Sequence, residues 1–189
     1  MTKSLASSGA LFHRKLVKYS LSAPAVHNVL MFIKKNNNPR VSGFLSSQLA
    51  NLLLSDASVS EFISSDTIVT YVPRGRSAVV RYGHDQSEIA ARLIAKELGA
   101  SFLPLLKRKR RKNVAQKKLG AKERAKNAKN MFAVFPKNAH LIEGKTVFVF
   151  DDIVTTGSSM GACVSHLVRF GARNVICISI ATTENAKSG

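Results

Sequence analysis

The longest apolar runs in the chain are short and bounded by turn residues. Thr67-Ile-Val-Thr-Tyr-Val72 and Val147-Phe-Val-Phe150 have the length and the β-branched or aromatic content of buried strands. Val175 to Ala181 repeats the pattern and reads as the next parallel strand, before a polar tail from Thr182 to Gly189. Ser101 to Leu106 is a shorter strand candidate. Elsewhere the apolar spacing changes to three and four. Val26, Val29, Leu30 and Ile33 predict a helix over 25–35, broken by Asn36-Asn-Asn-Pro39. Leu45, Leu49, Leu52 and Leu53 predict a second over 44–54, with those four leucines on its core side. Ala90, Leu93, Ile94 and Leu98 predict a third, opened by the capping-box pattern Asp85-Gln-Ser-Glu88 and closed by Gly99. Met160, Cys163, Val164, Leu167 and Val168 predict a fourth, ended at Gly171. Residues 1–23 predict no element. Strands alternating with helices indicate an α/β fold, an open, mostly parallel twisted sheet flanked by helices. The expected division is an N-terminal helical region over 1–60 and a core over 61–189.

The stretch Val147-Phe-Val-Phe-Asp-Asp-Ile-Val-Thr-Thr-Gly-Ser-Ser159 carries the most chemistry. It reads as a buried strand, an acidic turn at Asp151 and Asp152, a hydroxyl-rich loop and a helix start. A small-residue loop at a helix N-terminus points free N–H groups and the positive end of the dipole at one spot, which suits a phosphate. Gly157 lets the backbone approach an anion, and Thr155, Thr156, Ser158 and Ser159 add hydroxyl donors. Two carboxylates side by side can accept from a diol or help hold a divalent cation. A ligand with a phosphate at one end and sugar hydroxyls beside it fits this order.

Other polar features have plainer readings. Asp85 and Glu88 are expected to cap their helix, and His84 to lie on the surface. Pro73-Arg-Gly-Arg76 follows a strand at the end where ligands bind in open parallel sheets. Its arginines suit either phosphate or a basic surface turn. Cys163 and Cys177 do not form a Cys-x-x-Cys pair and read as buried small hydrophobes in a reducing, cytoplasmic setting. No run approaches the ~18–20 apolar residues that span a bilayer.

Apolar residues make up 45% of the chain, enough for a proper core, but charge is far from balanced. There are 29 Lys and Arg against 11 Asp and Glu, a formal +18. Residues 107–130 hold twelve bases and one acid, a net +11, whereas residues 140–189 are neutral. Residues 1–40 hold seven bases and no acid. Such a concentration favours a polyanion and keeps the 107–130 segment open without one. Its lack of aromatic residues indicates an electrostatic grip rather than a stacking platform, since Phe132 and Phe135 lie only at its end.

The 147–159 stretch resembles the phosphoribosyl-pyrophosphate (PRPP) motif of type I phosphoribosyltransferases. That resemblance implies ribose contacts from Asp151 and Asp152, and a 5-phosphate loop from Thr155, Thr156, Gly157, Ser158 and Ser159. It further implies a pyrophosphate loop at Arg74, Gly75 and Arg76, with the N-terminal helices forming a small hood. Mg2+ would arrive with PRPP, with no metal site of the chain's own. Arg111, Asn113 and Gln116, then Leu119, Arg124, Asn127 and Phe132, are similar in spacing to the ComF branch, as is Tyr82-Gly-His-Asp-Gln-Ser-Glu88. Here His84-Asp85 stands in place of the branch's usual Phe-Asn, and the cysteine zinc module of many relatives is absent. The ComF resemblance implies a link to uptake of single-stranded DNA. The basic loop at Lys107, Arg108, Arg110, Arg111, Gln116, Lys117, Lys118, Arg124 and Asn127 would then meet nucleic acid or close over pyrophosphate.

Two functions follow as expectations. The first is a PRPP-binding protein of single-stranded DNA handling. The second is an active phosphoribosyltransferase of nucleotide metabolism with an unidentified base as acceptor. A homodimer is compatible with both.

Overall fold

The structure, a computed structural model, describes residues 3–20, 28, 38–75, 79–80, 83, 85–109 and 131–184. The helix expected over 25–35 lies outside them except for Asn28, as do Arg76, His84 and all of residues 110–130. The described elements are α1 (Lys3–Ala6), β1 (Phe12–Ser20), α2 (Pro39–Ser55), α3 (Ala57–Ser60), β2 (Ile68–Tyr71), α4 (Gln86–Glu97) and β3 (Ser101–Phe102). They continue with β4 (Leu106–Arg108), β5 (Phe132–Val134), a 3-10 turn (Pro136–Leu141), β6 (Thr146–Val154), α5 (Ser158–Arg169) and β7 (Asn174–Glu184).

Five strands form one sheet in the order β1-β7-β6-β2-β3, every described pairing parallel. The expected α/β class and mostly parallel sheet are therefore present. β6 is central, with Phe148 and Phe150 buried on one face and Val147 and Val149 on the other. Both faces are covered, which is why the sequence shows continuous rather than alternating apolar runs. α2 and α4 cover the Phe148 face, through Leu49, Leu53, Ala91 and Ile94. α1, α5 and the β4–β5 ribbon cover the other, through Leu5, Leu106, Phe132, Cys163 and Leu167.

The N-terminal segment differs from expectation. Residues 12–20, where no element is predicted, form an edge strand that pairs with β7 from Phe12↔Ile176 to Ser20↔Glu184. Phe12 and Leu16 pack against the α2–α4 face, and His13 is buried on the strand. The interspersed bases obscure this apolar pattern, and one of them is paired internally. The Arg14 guanidinium donates to Asp56 at 2.5 Å and to Ser58 at 2.7 Å, and lies over the Phe12 ring. Residues Thr182–Glu184, expected in the tail, extend β7 because β1 supplies a partner.

α2 starts earlier than its leucine pattern, at Pro39, with the Asn38 side chain accepting from the Arg40 N–H at 3.0 Å. Proline at the first helical position needs no donor there, so the expected helix breaker is a helix start. Leu49 and Leu53 are fully buried and Leu45 half-buried, but Leu52 faces solvent and Ser46 and Ala50 take its place. The short strand expected over 101–106 splits in two. β3 ends at Phe102, Pro104 interrupts, and Leu106 begins the antiparallel ribbon with β5.

Candidate ligand-binding site

The register of β2 against β6 sets the site. Tyr71 lies opposite Phe150, so the residues after each strand emerge next to one another at the C-terminal end of the sheet. Pro73 to Gly75 follow β2 there, and Asp151 and Asp152 sit beside them on β6. The acids are not in a turn, as expected, but within the strand. Asp151 pairs with Ser179 and Ile153 with Ala181, so β6 runs on to Val154. Among the described residues, β7 alone keeps the ladder going past Phe150, where the apolar run and the pairing with β2 both stop.

Successive strand residues point to opposite faces, and the contacts agree. Asp152 faces Arg74, whose Nη2 donates to its Oδ2. Asp151 lies toward α5. Its carboxylate adds to the burial that pushes the Cys163 and Cys177 thiols above their ordinary range. Both cysteines are buried and outside any disulfide, and those raised pKa values make them poor nucleophiles. The Asp152 N–H also donates to Asp151 Oδ1 at 3.1 Å.

Beyond Val154, Gly157 adopts a left-handed conformation, φ 73°, and α5 begins at Ser158 with no side-chain cap on its N-terminus. Thr156 and Ser158 hydroxyls lie 2.9 Å apart, and the Ser158 N–H approaches Thr156 Oγ1 at 3.4 Å. Thr155 and Thr156 are exposed, and Ser158 and Ser159 half-buried. An α-helix start without a side-chain cap, fronted by hydroxyls and preceded by a left-handed glycine, can hold an anion.

Arg74 is held from two sides. Its backbone N–H donates to Asp85 Oδ2 at 2.8 Å, its Nε lies 3.9 Å from Asp85 Oδ1, and its Nη2 reaches Asp152. Asp85 also caps α4, accepting from the Ser87 N–H at 3.0 Å. Burial raises the Asp85 pKa, against the hydrogen bonds from Arg74 and Ser87, which lower it. The capping expectation for Asp85 stands, but the reciprocal box does not form. The Glu88 carboxylate turns away to accept from Tyr71 Oη at 2.8 Å and from Arg92 at 2.7 Å. The tie between Asp85 and Arg74 escapes a sequence reading because an N-cap alone already accounts for an aspartate there.

Lys107 and Arg108 lie on β4, over the rings of Phe135 and Phe132 at 5.6 and 5.5 Å. The ribbon closes where Lys109 N–H donates to Met131 O at 2.7 Å. Arg110, Arg111, Gln116, Lys117, Lys118, Arg124 and Asn127 belong to the segment beyond and lie outside the described residues. Among the described residues no three His, Cys, Asp or Glu side chains converge on a metal site, and no helix is long and apolar enough to cross a membrane.

Known proteins share parts of this chain. The phosphoribosyl transferase domain family model matches residues 44–188. The DNA utilization protein YhgH of Shigella flexneri is 25% identical over 163 residues, which are 86% of this chain and 69% of that protein. Among solved structures, the glutamine PRPP amidotransferase of B. subtilis, complexed with ADP and GMP, is 20% identical with a TM-score of 0.45 over 71% of this chain. TT1426 of Thermus thermophilus is 14% identical with a TM-score of 0.43, over 78% of this chain and 85% of its own. The chain spans about a quarter of the length of the amidotransferase, 26%. With the family match covering β2, β3, β6 and β7 of the sheet and the 147–159 stretch, the chain belongs to the phosphoribosyl transferase domain family.

Proposed function

We propose that the protein binds Mg–PRPP at the C-terminal end of the sheet and serves the uptake or processing of single-stranded DNA. The observation that carries the ligand reading is the convergence of three features there: the carboxylates of β6, the N-terminus of α5 and Arg74 after β2. Asp151 and Asp152 would take the ribose hydroxyls. Thr155 to Ser159 would take the 5-phosphate, and Arg74 and Gly75, with Arg76, the pyrophosphate. Binding then exchanges partners. Arg74 passes from Asp152 to pyrophosphate, which leaves Asp152 for the sugar. Carboxylate and phosphate oxygens are hard ligands suited to Mg2+, whose charge would offset that of pyrophosphate. The ligand's own oxygens would supply most of that coordination.

The nucleic-acid half is supported by the +11 segment rooted at Lys107 and Arg108 and by the similarity to a DNA utilization protein. It is tested by titrating single-stranded DNA at several salt concentrations, with and without Mg–PRPP. A steep salt slope that survives Asp151→Asn and Asp152→Asn supports it. Release of pyrophosphate from PRPP with an added base, abolished by those changes, would move the protein to the transferases of nucleotide metabolism.

A further inference from the structure

An open pocket of about 460 Å³ lies between the end of β2, the start of α4 and the β4–β5 ribbon. Its volume is in the range of small-molecule sites. Pro73, Val79, Ile89 and Leu106 give it apolar surface, and the Tyr71 and Phe135 side chains also line it. Arg74, Arg92, Lys107 and Arg108 bring four bases to its lining, against two acids. Both acids are answered locally. Glu88 accepts from Tyr71 and Arg92, and Asp85 from Arg74 and Ser87. The remaining field is therefore positive.

The mixture selects a ligand class. A bare polyanion has no use for an apolar lining, and a neutral metabolite none for the bases. A flat ring joined to phosphate satisfies both. We propose that this pocket holds one nucleotide unit of a single-stranded nucleic acid, its base against Phe135 and its flanking phosphates on Arg92 and Arg108. This rests on the nucleic-acid half of the proposed function and gives it a place. It supplies the stacking surface that the 107–130 tract lacks, since Phe135 follows that tract in sequence. Arg74 borders both this pocket and Asp152, so nucleic acid and Mg–PRPP meet at one guanidinium and compete.

The test uses the full chain and a fluorescein-labelled 15-residue oligothymidylate, read by anisotropy, with inorganic polyphosphate as the ring-free comparison. Phe135→Leu should weaken oligothymidylate binding by about fivefold or more, the lower end of one base–aromatic stack, and leave polyphosphate binding unchanged. Phe135→Tyr should bind as wild type. Arg92→Gln should weaken oligothymidylate about three- to tenfold, while Arg173→Gln, with the same charge loss where β7 begins at the opposite end of the sheet, should stay within about twofold. The proposal is overturned by any of three results: no oligothymidylate binding by wild type, Phe135→Leu affecting both probes equally or neither, or Arg173→Gln matching Arg92→Gln. Calorimetry with Mg–PRPP on the same proteins keeps the two readings apart. If PRPP fails to bind while the Phe135→Leu effect holds, the pocket stands and the PRPP assignment falls.

Discussion

Asp85 is the residue whose role differs most from its sequence reading. A cap was legible, because an aspartate just before an apolar helical stripe is placed to accept from the first free N–H groups. Its grip on Arg74 was not, because that contact joins positions 11 residues apart across an unpredicted loop conformation. The double role sets the expected effects. Asp85→Ala loses the cap and both Arg74 contacts and should cost about 1–2 kcal/mol in urea unfolding. Asp85→Asn keeps the N-cap acceptor, but its amide NH2 replaces the oxygen that accepts from the Arg74 N–H, so it should still cost about 1 kcal/mol, less than the alanine. His13 was equally hidden. Its Nε2 lies 2.9 Å from Ser179 Oγ in the sheet, and burial, helped by Lys15, lowers its pKa from 6.5 to about 4. An imidazole with a depressed folded-state pKa is neutral in the fold and takes up a proton on unfolding. Its contribution is thus fully present above pH ~6.5 and is lost as pH falls toward 4, by about 3 kcal/mol in all. His13→Asn should flatten the stability profile across that window in denaturant titrations.

At the scale of elements, the sheet was legible where strands are long, apolar and covered on both faces. β2, β6 and β7 fit that description. β1 did not, because its apolar residues alternate with bases that are partly held within the fold, as Arg14 is by Asp56. The end of β6 was misread for a related reason. Carboxylates suggest a turn, yet β7 provides hydrogen bonds past them as far as Thr182. The consequence is local: the strand turns Asp152 toward Arg74 and Asp151 toward α5, the two sides between which a ribose would lie at the end of β6. The junction of β6 with α5 depends on Gly157. With φ 73° there, Gly157→Ala should destabilise by about 1–2 kcal/mol and weaken binding of any phosphate at the helix start. Thermal unfolding with and without phosphate reads both effects.

Across the whole molecule, the excess charge sits in two places. Residues 1–40 carry +7, three of those bases on β1, and residues 107–130 carry +11 in a segment that joins β4 to β5. Lys109 and Met131 are hydrogen-bonded across its mouth, so a short Gly-Ser turn can replace residues 110–130. Because loop closure depends weakly on length, stability should change by no more than about 1 kcal/mol. Oligonucleotide affinity and its salt dependence should fall sharply, which anisotropy at two salt concentrations would show. The tract's charge was plain from sequence; its attachment beside Arg74 required the register of β2, β6 and the ribbon. Both proposed activities depend on that end of the sheet, and the PRPP site is the more exposed to test. Isothermal titration of Mg–PRPP into the wild-type protein tests it most directly. Saturable one-to-one binding, weakened at least about tenfold by Asp152→Asn with the fold intact, is the predicted result. No binding at millimolar PRPP, or binding indifferent to Asp151→Asn and Asp152→Asn alike, would contradict it.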